Sequence, residues 1–251
     1  MLTTNQIRQY HNDGYTIHRR ALTGTDLAGL REHVDYLLAN LPAGQRPEHQ
    51  DMPHLRDPYL FRMCSHPALL DLVQQIIGPD IVLFSSHLIA KAKGDGLEVP
   101  WHQDAEYWEL EPMDVVTLWL AVDESVVENG CMRVIPGTQT LGPITHFTDE
   151  HKEDKVLDRG LDITRFDLNA AVNIELQPGD CSFHTPYIVH GSTPNRSQKR
   201  RCGYTLRFMP ASTKLVRDGA MSRFWKDHPV FLVRGEDTAG VNRYEVEAPS
   251  A

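Results

Sequence analysis

From residue 81 onward the chain breaks into short apolar or alternating runs with no helix between them, and this texture restricts its fold more than any other feature. Segments 81–93, 115–123, 131–136, 172–176, 181–192 and 201–210 read as strands. Turn-forming residues separate them: Gly94-Asp95-Gly96, Glu128-Asn129-Gly130, Gln177-Pro178-Gly179-Asp180 and Thr193-Pro194-Asn195. Parallel strands need crossover connections, usually helical, so this order predicts an antiparallel double sheet or barrel. The first eighty residues read differently. Thr3-Thr4 opens a short helix that Gly14 ends, and 15–18 is extended. Leu27, Leu30, Val34, Leu37, Leu38 and Leu41 recur at helical spacing, which predicts an amphipathic helix over about 25–40. Ser65-His66-Pro67 caps another helix, with Leu69, Leu70, Val73, Ile76 and Ile77 as its buried face and Gly78-Pro79 as its stop. The expected fold is mainly β with flanking helices. A jelly-roll, cupin-like core at about 81–210 is buttressed by the helical part at 1–80, with a C-terminal extension at 211–251, all in a single domain.

At 251 residues the chain can bury a substantial core. Its formal charge of −9 gives no general basic footprint, which argues against nucleic acid or an anionic membrane as partner. No apolar run approaches bilayer length, and Met1-Leu2-Thr3-Thr4-Asn5-Gln6 lacks the pattern of a signal peptide. Cys64, Cys131, Cys181 and Cys202 form no CxxC pair and read as reduced core residues, so the expected location is cytoplasmic. Segment 141–171 is long and polar, with a charged run at 149–155, and reads as a lid or a disordered loop.

The chemistry concentrates in Pro100-Trp101-His102-Gln103-Asp104. In an extended segment His102 and Asp104 share one face, giving two corners of a metal site. Two histidines and one carboxylate on one side of a metal, with the other positions open, are what non-haem Fe(II) oxygenases use. His-x-Asp alone is weak, since such pairs arise by chance on surface strands. Two histidines compete for the third corner, His184 and His190, an even number of residues apart. A hairpin centred between Asn195 and Arg196 would set His190 opposite Arg201, placing a guanidinium beside the metal to clamp a carboxylate. That favours His190, with His184 as its neighbour or a core histidine. Ser192 could add a hydroxyl to the same carboxylate, while Arg196, Lys199 and Arg200 decorate the turn.

These motifs together resemble the phytanoyl-CoA dioxygenase-like family of Fe(II)/2-oxoglutarate oxygenases. The resemblance rests on His102-Gln103-Asp104 with Ala105-Glu106-Tyr107-Trp108, and on Thr117-Leu118-Trp119-Leu120. It rests equally on the segment from Glu128-Asn129-Gly130 to Pro136-Gly137, and on His190-Gly191-Ser192 with Arg201. It covers about residues 50–210. It implies a double-stranded β-helix, iron on His102, Asp104 and His190, and 2-oxoglutarate held by Arg201 and Ser192. Trp119, His87 and His54 match segments near the cosubstrate, although a core tryptophan and structural histidines explain them as well. Tyr107 and Trp108 could stack on substrate or simply pack under a loop. Gln139 departs from the histidine often found there. Asn129-Gly130 reads as a turn, and Lys91 and Lys93 as solvated.

The implied reaction is hydroxylation of an unactivated C–H bond by O2, releasing succinate and CO2. Two rivals differ in class: a non-catalytic jelly-roll sensor of small acids, and a cupin-like metal isomerase or hydrolase. The chain is acidic and its one dense basic cluster, 196–201, belongs to the turn and clamp, so the expected substrate is a free small molecule rather than a CoA ester. A secondary metabolite or an amino-acid derivative fits that description. Pro249-Ser250-Ala251 carries no peroxisomal address.

Overall fold

The computed structural model describes residues 1–148 and 155–245. Its helices are α1 (Thr4–Asp13), α2 (Gly24–Ala39), α3 (Pro58–Cys64), α4 (Pro67–Ile77) and α5 (Ser222–Trp225). In chain order the strands are β1 (Tyr15–His18), β2 (Gln50–Asp51), β3 (Ile81–Lys91), β4 (Val99–His102), β5 (Leu110–Glu111), β6 (Val116–Ala121), β7 (Met132–Ile135) and β8 (Phe147–Thr148). They continue with β9 (Arg159–Gly160), β10 (Val172–Ile174), β11 (Cys181–His184), β12 (Val189–Ser192), β13 (Arg201–Pro210), β14 (Lys214–Leu215) and β15 (Phe231–Arg234). A large sheet runs β1-β11-β6-β13-β3-β15, with β2 also on β3, and a smaller one runs β10-β7-β12-β4. Every pairing in them is antiparallel. This is the jelly-roll core that the strand texture predicts.

Local chemistry sets the helix ends. Thr3 and Gln6 form a reciprocal capping box on α1, and Gly14 at φ 80° closes it, a left-handed turn that glycine adopts without strain. His66, rather than Ser65, caps α4, with Pro67 in its first turn. α3 is an addition to the expected elements. Asp57 accepts from the backbone of Tyr59 and Leu60 at its start, in a segment too short to show helical periodicity. Leu60, Leu69, Leu70 and Val73 from α3 and α4 pack on one face of the large sheet, against Cys202, Tyr204, Leu206 and Phe208 of β13.

The other face of that sheet is concave and chemical. On β13 the residues between the core positions, Arg201, Thr205 and Arg207, line a cavity between the sheets. On β3 the same parity brings Ser85, His87 and Ile89 to it. A register shift between Arg207 and Phe208 lets Phe84, beside Ser85, pack on Trp108 and Trp225.

Two expectations need correction. Segment 181–192 is two strands, because 185–188 turns at Pro186, which has no N–H for a ladder. β11 therefore lies in the large sheet and β12 in the small one. The segment from 193 to 200 is also no hairpin: β12 pairs with β4 and β7, while β13 pairs with β3 and β6. Asn195 explains the crossing. Its amide donates to the carbonyls of Ala92 (3.0 Å) and Lys199 (2.7 Å), pinning the segment to the β3–β4 connection.

Residues after 210, which the sequence leaves unassigned, add β15 to the edge of the large sheet and place Met221, Phe224 and Trp225 on the cavity. The C-terminal Pro249-Ser250-Ala251 and most of the charged run at 149–155 lie outside the described residues. The four cysteines are buried and free. Among the described residues no helix is long and apolar enough to cross a membrane.

Gly203 is the third residue of β13, where a Cβ would fall 1.9 Å from the Trp119 ring. Gly203→Ala should cost about 1–3 kcal/mol by overpacking, read as a lower urea midpoint, and should displace Trp119 from the cavity wall.

Candidate metal and cosubstrate site

β4 and β12 run side by side with His102 opposite His190, and their rings stand 4.1 Å apart. Nδ1 of His102 donates to the Pro100 carbonyl (2.8 Å) and Nδ1 of His190 to that of Ile188 (3.1 Å). Each ring is thereby oriented with Nε2 free. Asp104 is not on the strand. The chain leaves the extended conformation after Gln103, and Asp104 opens a 3-10 turn, Asp104–Tyr107, that delivers its carboxylate. One ligand atom from each of His102, Asp104 and His190 lies within 4.8 Å of the others. Two imidazoles and a carboxylate, all buried and all opening on one cavity, suit a divalent metal of the iron type.

The charges agree with that use. Burial works to raise the Asp104 carboxyl, but Arg207, His102, His184 and His190 overcome it and hold it well below the carboxylate range. Nη2 of Arg207 is 3.8 Å from Asp104 and Nε2 of His184 is 3.4 Å, while Thr117 donates its hydroxyl at 3.3 Å. Burial, reinforced by His102 and His184, pushes His190 well below the usual histidine value, which keeps it neutral as a ligand must be. Both ring nitrogens of His184 lack a hydrogen-bond partner; it stands in the large sheet behind Asp104, beside the cluster rather than in it.

Arg201 is buried 5.2 Å over the Trp119 ring. Its Nε donates to the Gly130 carbonyl (3.1 Å) and its Nη2 to Ser192 Oγ (3.3 Å). The expected neighbours therefore meet, but by reaching across between the sheets rather than along a hairpin. Arg201 pairs in register with Lys91, and Asn129-Gly130 is more than a turn, since Gly130 anchors the guanidinium. Lys91 itself is wrongly expected in solvent. It is fully buried and donates to Ser192 Oγ (2.7 Å), to the Ser192 carbonyl (3.3 Å) and to that of Thr193 (2.5 Å). Burial and the neighbouring Arg201, only partly offset by Glu98 and Glu48, push it down to about 6.

His87 lines the cavity, its Nε2 held by the Glu48 carbonyl at 2.9 Å, and burial lowers it to about 4. His54 does not line it. Its 3-10 turn packs on the opposite side of the large sheet, with Nδ1 on Ser86 Oγ at 2.7 Å and its ring edge-on to Phe231. Tyr107 and Trp108 are both on the cavity wall.

Lys91, Thr117, Gln103 and Arg207 are the participants that sequence reasoning misses. Strand parity carried the signal for three of them: Lys91 with His87, Thr117 with Trp119, and Arg207 with Arg201. Gln103 had no such signal. Buried between His102 and Asp104, it ties β4 to the 141–171 segment and to the turn after β11, donating to the Gly142 and Tyr187 carbonyls (2.9 and 2.6 Å) and accepting from the backbone of Ile144 (2.8 Å). That segment folds back on the site. Val156 and Leu161 bond to the carbonyls of Glu98 and Trp101, Arg159 pairs with Glu106, and Val156 and Leu157 line the cavity. The turn cations are also pinned: Arg196 to the Gly96 carbonyl, Arg200 to Asp123 and Asp35, and Lys199 to Glu124.

Residues 10–203 match the model of the phytanoyl-CoA dioxygenase (PhyH) family, and the chain belongs to it. The peroxisomal phytanoyl-CoA dioxygenase of Bos taurus is 28% identical over 221 residues, covering 86% of this chain and 65% of that protein. L-proline trans-4-hydroxylase of Streptomyces griseoviridis is 26% identical over 223 residues, covering 77% and 81%. Among solved structures, the apo non-heme monooxygenase ThoJ superposes with a TM-score of 0.78 at 25% identity, covering 98% of this chain and 89% of that one. EvdO2 of Micromonospora carbonacea, complexed with 2-oxoglutarate, gives 0.65 at 24% identity, covering 90% and 97%.

Lys91 gives a test in the protein alone. The unfolded chain keeps a proton on this lysine up to about 10.5, whereas the folded chain releases it near 6. In that window the unfolded state binds more protons, so stability rises with pH, by at most about 1.4 kcal/mol per unit from this group. Urea unfolding between pH 6.5 and 8.5 should therefore show a shallower rise in Lys91→Met than in the wild type.

Proposed function

We propose that this chain is an Fe(II)- and 2-oxoglutarate-dependent oxygenase that hydroxylates a small molecule, with metal on His102, Asp104 and His190. The observation that carries this reading is that the three donors converge beside a cavity that also holds a buried Arg201–Ser192–Lys91 cluster. A metal isomerase or hydrolase has no use for the second half. A non-catalytic small-acid sensor has no use for the first.

What an Fe(II)–2-oxoglutarate pair supplies when bound is oxidation of a substrate C–H bond by O2, with succinate and CO2 released. The chain supplies the rest. Arg201 presents a planar fork to the far carboxylate of the cosubstrate, and Ser192 a hydroxyl. Lys91 donates to the Ser192 oxygen, so the serine proton is free to point at the ligand. A carboxylate at that point favours the protonated form of Lys91 Nζ. Thr117, His184 and Arg207 hold the Asp104 carboxylate in its ionised form. The Trp119 wall and the folded-back segment around Val156 and Leu157 keep water out.

The cavity of about 380 Å³ is at the small end of ligand pockets and must hold cosubstrate and substrate together. This supports a free small molecule as substrate, with O2 as co-reactant. A free amino acid, L-proline, is the substrate named for the Streptomyces relative.

Ala at His102, Asp104 or His190 should abolish metal-dependent succinate release and weaken Fe(II) binding, with little change in circular dichroism. His184→Ala should still bind metal. The ligand choice fails if His184→Ala loses the metal while His190→Ala keeps it. Arg201→Ala should weaken 2-oxoglutarate binding by about 2–5 kcal/mol, and an unchanged Kd would remove Arg201 from the site.

A further inference from the structure

Arg207 keeps donors that neither the three metal-site residues nor the Arg201–Ser192–Lys91 cluster uses. Its side chain is only 11% exposed and lines the cavity, stacked 5.2 Å over the Trp108 indole. Among the described residues it makes no hydrogen bond, and its buried Nε has no acceptor. Arg201, on the same face of β13, is tied instead to Gly130 and Ser192. A buried guanidinium with idle donors is costly unless a partner arrives, so such groups are paired in native structures. The six-residue offset along β13 separates the two arginines by roughly 20 Å of strand, so one anion cannot serve both at their Cα positions.

Asp104 does not fill the gap. It approaches Arg207 only at 3.8 Å, without a hydrogen bond, and its carboxylate is the one the metal would take. Metal loading leaves Arg207 with less counter-charge and puts a cation beside it. Around it the donors and walls are uneven. Thr205, on the same strand face, also has a buried hydroxyl without a partner, whereas Trp108, Met221, Phe224 and Trp225 are apolar.

Resting on the function proposed above, we infer that Arg207 anchors the substrate through a carboxylate, so that this enzyme takes a small organic acid with an apolar body. A planar two-oxygen anion matches the fork that the Trp108 stack leaves open. A phosphate dianion would call for more positive charge than this end of the cavity offers, and a neutral molecule would leave the donors idle. Arg207 is then a specificity-determining residue, and the substrate carboxylate sits beside the metal, away from the Arg201 clamp.

The test uses the full chain loaded with redox-inert Ni(II) and 2-oxoglutarate, titrated calorimetrically with small aliphatic, amino and aryl carboxylic acids. Each acid is paired with its primary amide and with the phosphate of the same body. At least one acid should bind, with its amide weaker by roughly thirty-fold or more, as expected when a buried charge loses its partner. R207Q should bring the acid down to the affinity of the amide when Ni(II) and 2-oxoglutarate are both kept saturating. The assignment is overturned if no acid binds, if acid and amide bind alike in the wild type, or if R207Q keeps the preference. A phosphate that binds more tightly than its acid overturns the choice of carboxylate. Failure of the wild type to bind Ni(II) or 2-oxoglutarate counts against the metal and cosubstrate reading instead, so the two failures are distinguishable. The wild-type comparison stands whether or not the variant folds.

Discussion

The two-residue alternation of β13 is the constraint on which the rest of the structure depends. Its odd positions, Arg201, Thr205 and Arg207, look into the cavity, and its even positions, from Cys202 to Phe208, are fully buried against the helices. A slip of one residue would push two guanidiniums into an apolar layer and bring Tyr204 and Phe208 into the cavity. β13 is held on both sides, by β3 and by β6, so the chemical face of the large sheet is specified by the packing of the other face. The helices that cover that face contribute no ligand, yet they fix where the ligands' counter-charges stand.

The small sheet plays a different part. β4 and β12 are neighbours in it, and their backbones approach closely at Gly191, where a Cβ would press on the Val99 carbonyl at 3.0 Å and on the Trp101 backbone. His102 and His190 therefore meet by strand pairing alone. Asp104 comes from the turn that follows, whose entry is fixed by Gln103 and by the bond from Ala105 to the Pro186 carbonyl. Two of the donors belong to the small sheet and the third to the turn that follows it, while the groups that tune them belong to the large sheet.

Much of this was legible in the sequence because it is periodic. Strand positions and the buried stripes of α2 and α4 follow from side-chain spacing, which a linear reading captures, whereas Asp104 reaches His102 through a 3-10 turn and not through strand alternation. What the sequence hid is the assignment of strands to sheets. Segments 181–184 and 189–192 read as one run because both are apolar and only Pro186 interrupts them. Arg201 was matched to His190 through a hairpin, when in fact Asn195 carries the chain across to the other sheet. The right residues met by the wrong route. Lys91 was misread for a related reason: a lysine at a strand end looks solvated until the opposite sheet closes over it. His54 failed because a short 3-10 turn has no period from which to infer a face.

Because His102, Asp104 and His190 come from the β4–β12 pair and its adjoining turn, that cluster is a local structure, while the Arg201–Ser192–Lys91 cluster is not. Lys91 and Arg201 reach Ser192 only when the two sheets face each other closely. The two binding events thus report different degrees of assembly. A breathing motion that parts the sheets at this end leaves the three donors together but dissolves the clamp. Any occupant that bridges the gap stabilises the closed form by mass action.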